Sequence, residues 1–169
     1  MIKKIKITDL VVLILGIFTL MSALFVSIEK LAGNNSSLFS NDKVKVYQNK
    51  STGITSTMTF YYDKKSDDIV KVITENRINY KDSGYDKKTL KKQIAALETQ
   101  YQNKKGIKHT SNFKNNELIE KTESNLNDVS KSNKIWLFSE NMVNKDGKIK
   151  FSQYSKIVES SGYQELKTK

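Results

Sequence analysis

A chain of 169 residues with a net charge of +11 and neither cysteine nor proline has no disulfide framework, no thiolate nucleophile, no zinc–thiolate site and no thiol for lipid attachment. One histidine, His109, is too few for an HExxH zinc site or any histidine cluster. The positive excess is almost entirely lysine, with Arg77 the only arginine, so it reads as compositional bias as much as a binding signature.

Residues 1–9 form a basic n-region containing Lys3, Lys4 and Lys6. Leu10 to Ile28 then runs nineteen residues without a charge. As a helix this stretch would be roughly 28 Å long, close to the hydrocarbon thickness of a bilayer. It is too long for the h-region of a cleavable signal, and the small-x-small sequences near it are poor: Met21-Ser22-Ala23 lies inside the run and Leu31-Ala32-Gly33 begins with a bulky residue. The reading is a signal anchor, a single transmembrane helix at 10–28 with the lysine-flanked N-terminus cytoplasmic and the rest extracytoplasmic. Cleavage to a secreted domain is the alternative. Gly16-Ile17-Phe18-Thr19-Leu20 is too poorly spaced, and lacks the following acidic residue, to be a pilin leader. Beyond Ile28 the chain still carries +9.

Residues 29–43 read as a linker, small and polar from Ala32 to Asp42, and 44–169 as one folded domain. Val44, Val46 and Tyr47 predict a short strand. Thr55–Tyr62 alternates Met58, Phe60 and Tyr62 on one face, and Lys64–Asp68 is a turn. Ile69–Tyr80 is a longer strand, with Val70, Val72 and Thr74 opposite Ile69, Lys71 and Ile73. Leu90, Ile94, Leu97 and Tyr101 recur at helical spacing, with Asp86 as N-cap and Gly106 as the stop. Burying that stripe contributes about 6–10 kcal/mol before entropy is subtracted. Strands follow at Ile107–Phe113 and Leu118–Leu126 around a turn at Lys114–Glu117. Asn127–Lys134 reads as loop and Ile135–Phe138 as a short apolar piece. Ser152–Ser161 is a second helix capped by Ser152 and ended by Gly162, and Tyr163–Leu166 is a last strand. The order predicts an α+β fold, a mostly antiparallel sheet covered by two helices, resembling a doubled strand–strand–helix unit.

No constellation of acids, bases and nucleophiles is visible, so no enzymatic activity, cofactor or metal is expected. His109 reads as a surface or edge-strand residue, and Asp67, Asp68, Glu120 and Glu123 as solvated charge. Asn144–Phe151 resembles the middle of an EF-hand loop, but with Gly147 at loop position 6 the first ligand falls on Met142 and the last on Gln153, so a tight turn is expected. Lys87, Lys88, Lys91 and Lys92 are the candidate polyanion-binding residues, a face for anionic wall polymer or acidic lipid; a solvated face is the simpler reading. The bilayer, through Leu10–Ile28, and an anionic envelope polymer are thus the expected partners. Nucleic acid is not, and no protein partner is indicated.

Thr57–Tyr62, Asp68–Glu75, the helix Leu90–Tyr101 with Asn103–Ile107, and Ser161–Leu166 together resemble the YehR-like family of bacterial lipoproteins, a domain of unknown function. The resemblance spans roughly residues 55–166 and implies a small exported α+β domain held at the membrane, without an established activity, cofactor or active-site residue. Family members attach through a lipidated cysteine after an L-x-G/A box. Here Leu31-Ala32-Gly33 stands in for the box and Asn34 for the cysteine, with Glu29 and Lys30 intruding before it. The combined reading is a membrane-anchored extracytoplasmic binding or interaction module at the cell envelope.

Overall fold

The computed structural model describes residues 42–167. The Leu10–Ile28 segment, the lipobox-like stretch and most of the linker lie outside the described residues. Among the described residues no helix is long and apolar enough to cross a membrane.

Six strands form one antiparallel sheet in the order β4-β5-β3-β2-β1-β6. They are β1 (Asp42–Ser51), β2 (Ile54–Asp63), β3 (Ile69–Asn79), β4 (Ile107–Lys114), β5 (Glu117–Asn125) and β6 (Gln164–Glu165). The helices are the single turn α1 (Tyr80–Ser83), α2 (Lys87–Tyr101), α3 (Lys131–Phe138) and α4 (Phe151–Ser160), with a 3-10 turn at Glu140–Met142. The expected α+β architecture is present, with more helix than the sequence reading allowed. The β3–β5 pairing joins the β2–β3 and β4–β5 hairpins, and β1 and β6 continue the sheet beyond β2.

The first three strands are a meander. β1 is longer than expected and takes in Asp42 and Lys43, because all ten of its residues find partners on β2. Its turn needs glycine: Gly53 has φ +68°, its carbonyl accepts from Asn79 N at 2.7 Å, and a Cβ there would lie 2.3 Å from Ser83 N. Strict alternation fails at the start of β3. A bulge shifts the register between Tyr61 and Tyr62, so that Tyr62 pairs with Ile69 and Tyr61 with Lys71. Ile69 therefore joins Val72 in the core instead of opposing it.

α2 matches the sequence expectation most closely. Asp86 accepts from Thr89 N at 2.8 Å, and Leu90, Ile94 and Leu97 are buried. The helix stops at Tyr101, before Gly106, which instead shapes the turn into β4 at φ +80°. A Cβ on Gly106 would come within 2.8 Å of Val129 N and 2.9 Å of Asn125 O. Gly106→Ala is expected to cost more than about 1 kcal/mol, read as a lower urea midpoint at unchanged slope.

α3 was not foreseen as a helix. Ser130 caps it by accepting from Asn133 N, turning the expected loop and the apolar piece around Trp136 into one element. In α4, Ser152 is not the cap: its N and Oγ both donate to Asp67 Oδ2, at 3.1 and 2.5 Å, while Phe151 N donates to Asp67 O at 2.8 Å. The β2–β3 turn thus closes the helix start from outside. The EF-hand-like segment is a turn closed by Gly147 N to Asn144 O at 2.9 Å, and it delivers Lys148 and Lys150 to Asp68, at 2.8 and 2.7 Å.

Burial acts to raise the Asp68 carboxyl, but the hydrogen bonds from Lys148 and Lys150 outweigh it and hold the group below its ordinary value. A depressed carboxylate stabilises the fold above its unfolded value and ceases to do so as pH falls through the folded one. Asp68→Asn is therefore expected to lower the urea midpoint at pH 7, with the gap to the wild type closing toward pH 3. A gap independent of pH would assign the loss to packing.

The core divides in two. Phe60, fully buried, meets Tyr47 at 5.9 Å, Phe151 at 5.8 Å and Tyr154 at 5.8 Å between ring centroids. The second cluster joins Leu90, Ile94 and Leu97 of α2 to Ile78 and Leu118 of the sheet. Between the two the sheet's covered face turns polar.

Candidate functional site

The register places a polar belt across the middle of that face. Ser56, Asn76, Glu120 and Ser111 lie side by side on β2, β3, β5 and β4, and Thr74, Thr122 and His109 form the next row. Above the belt, α2 and α3 leave a cavity of about 250 Å³. Met58, Val72, Leu97 and Leu137 supply apolar wall; Tyr101, Trp136, Phe138 and Tyr154 supply rings; Asn76, Glu120 and Thr122 are among its polar lining.

Glu120 is the centre of this arrangement, and His109 is its partner. The sequence reading took His109 for a surface or edge-strand residue and Glu120 for solvated charge; both side chains are buried. Glu120 is 1% exposed and the His109 side chain 3%. His109 Nε2 lies 2.9 Å from Glu120 Oε1, and the Thr122 hydroxyl donates to the same oxygen at 3.1 Å. Glu120 Oε2 and His109 Nδ1 are buried and have no hydrogen-bond partner. β4 is an edge strand, as expected, but Tyr101 from the last turn of α2 lies over the imidazole at 5.1 Å and seals it. Trp136 meets Tyr101 edge-on at 5.5 Å, and Lys104 Nζ sits 5.0 Å from the indole centre on the rim.

The cavity's tyrosine hydroxyls stay protonated at neutral pH. Burial and the neighbouring Glu120 carboxylate push the Tyr101 hydroxyl up to about 12, against a hydrogen bond with Thr122 that pulls the other way. Burial alone takes Tyr154 to about 12. Glu120 is the only carboxylate among the lining residues, and no lysine or arginine lines the cavity.

The other carboxylates sort differently. Glu123 points to the opposite face and pairs with Lys71 at 2.5 Å, Asp67 closes α4, and Asp68 holds its two lysines. Among the described residues no group of His, Asp or Glu is placed to hold a metal. Lys87, Lys88, Lys91 and Lys92 are all exposed on the first turns of α2. Lys87 lies over the Tyr80 ring and Lys91 over Phe113, each at 5.8 Å. None of the four lysines lines the cavity.

A family model described as a protein of unknown function, DUF1307, matches residues 43–164. The chain belongs to the DUF1307 family. Two solved structures share the fold. The NMR structure of the E. coli YehR protein superposes with a TM-score of 0.60 at 18% identity, covering 76% of this chain and 93% of that one. The NMR structure of a protein from Streptococcus pneumoniae TIGR4 gives 0.50 at 18% identity, covering 87% and 94%. At that identity the likeness concerns the fold, and it agrees with the YehR-like resemblance in the sequence. No curated protein shows significant sequence similarity to the chain.

A signal for the site was present in the sequence. Ile107, His109, Ser111 and Phe113 share a strand face, and the apolar ends mark that face as the covered one. Leu118 does the same for Glu120, Thr122 and Ser124.

Proposed function

We propose that this DUF1307 chain is a membrane-held binding module of the cell envelope whose ligand occupies the cavity between α2 and α3. The observation that carries the reading is Glu120: a nearly inaccessible carboxyl in an aromatic-walled cavity, with one oxygen lacking any donor. A buried acceptor left unpaired costs about 1–3 kcal/mol, which a folded domain tolerates most readily where a ligand supplies the missing donor. Binding suits the site better than catalysis. His109 is engaged with Glu120 and covered by Tyr101, so it does not line the cavity and no acid–base pair faces a common substrate position.

Anchoring rests on the uncharged Leu10–Ile28 run behind its lysines. Protease shaving of intact cells should remove the domain and leave a short membrane-retained fragment. A truncated form in the medium, with no full-length chain in membranes, would overturn it. For the cavity, small-fragment hits in amide-shift mapping of the full chain should move Tyr101, Glu120 and Leu137 together; hits scattered over the surface would remove it as the site.

A second reading keeps the polyanion surface. All four candidate lysines on α2 are exposed, and among the described residues no carboxylate forms a salt bridge to them. Co-sedimentation with anionic vesicles should then fall steeply between low and physiological salt, and absence of binding at low salt removes the idea.

A further inference from the structure

We infer that the cavity recognises a small organic ammonium group, its charge set against Glu120 and its body among the rings of Tyr101, Trp136, Phe138 and Tyr154. The inference rests on the reading of the cavity as a binding site and adds the class of ligand. Three observations converge on it.

The first is charge. The lining contains one carboxylate and no lysine or arginine, and Lys104 Nζ stands at the rim over the Trp136 ring. The second is the free lone pair. Glu120 Oε1 already takes its share from Thr122 and stands against His109, while Oε2 is buried without a partner and would accept from an ammonium N–H once the side chain turns it toward the cavity. The third is the wall. Ring faces attract cations through their quadrupoles, and desolvation strengthens that attraction. Trp136 already shows this behaviour at the rim, where Lys104 Nζ lies 5.0 Å from its ring centre.

Volume narrows the class. A cavity of about 250 Å³ has room for a compact amine. A neutral ligand of the same outline would fill the rings equally well and leave the carboxylate uncompensated. Selectivity for charge at constant shape is therefore the property that distinguishes an ammonium site from a merely apolar one.

Trp136 is the only tryptophan in the chain and lines the cavity, so its fluorescence reports occupancy directly. The full chain in maltoside micelles would be titrated with benzylammonium, benzyl alcohol and benzoate. Benzylammonium is expected to change the emission saturably and to bind at least tenfold more tightly than benzyl alcohol, with benzoate weakest. In Glu120→Gln, checked for a wild-type thermal transition, the preference for the cation should vanish. Tighter binding of Nα-acetyl-lysinamide than of benzylammonium would support the ammonium and place it on a lysine side chain. Equal affinity for benzylammonium and benzyl alcohol in the wild type would overturn the ammonium inference while leaving the cavity a binding site. No saturable response to any of these probes would overturn both.

Discussion

Leu97→Asp is expected to abolish the cooperative unfolding transition of the domain. Leu97 is 4% exposed and sits where the two halves of the core meet, packed with Leu90, Ile94, Ile78 and Leu118 on one side and lining the cavity on the other. Truncating such a leucine costs about 2–5 kcal/mol through lost contacts and the void left behind. A carboxylate in its place adds a desolvation penalty of several kcal/mol, because no cation lines the neighbouring cavity to receive it. Glu120, of like charge, lines the same cavity. The sum is comparable with the whole stability of an ordinary domain, about 5–15 kcal/mol. Ala96→Asp, one position away on the exposed face of α2, is the control and should change stability by less than about 1 kcal/mol. Leu97→Met should lose less than about 1.5 kcal/mol. Circular dichroism melts read all three. A sharp wild-type transition in Leu97→Asp would take Leu97 out of the core.

That prediction was accessible from sequence because α2 carries its information locally. Four apolar residues at helical spacing and an aspartate before them define a face and a start without reference to the rest of the chain. The strands were legible for the same reason, their alternation being a property of consecutive residues. The failures fall where a distant residue decides. Asp67, from a turn some eighty positions earlier, does for α4 what Ser152 was expected to do. The bulge that turns Ile69 inward is a fact about the pairing of two strands, not about either one. α3 was missed because its eight residues are too short for periodicity to outweigh a polar beginning, although Ser130 was there to be read as its cap.

The site failed to appear for a deeper reason. Charged and polar residues are assigned outward by default, since burying them unpaired is costly. Glu120 and His109 violate that default together, eleven positions apart in sequence and joined only by the β4–β5 pairing that puts Ser111 beside Glu120 and His109 beside Thr122. Neither is unusual alone. A polar pair in a core is also where local rules yield to function most often, since nothing about folding calls for it.

The energetic status of that pair supplies the second prediction. His109→Ala should cost about 3–5 kcal/mol, because it strips Glu120 of its principal neighbour and leaves a carboxylate in a nearly dry place. Glu120→Leu should cost less, about 1–3 kcal/mol, the penalty of an imidazole without a partner. Replacing both, as Glu120→Leu with His109→Phe, removes the polar groups that need each other and lets Tyr101 stack on an apolar ring. That double variant should match or exceed the wild type in urea, by up to about 4 kcal/mol, far from the sum of the single losses. It should also bind benzylammonium no better than benzyl alcohol. A fold that grows more stable as its cavity loses charge selectivity is one whose polar belt is retained for what it holds. If the double variant instead loses as much as the two single ones together, Glu120 and His109 belong to the architecture, and the cavity above them is a packing defect rather than a site.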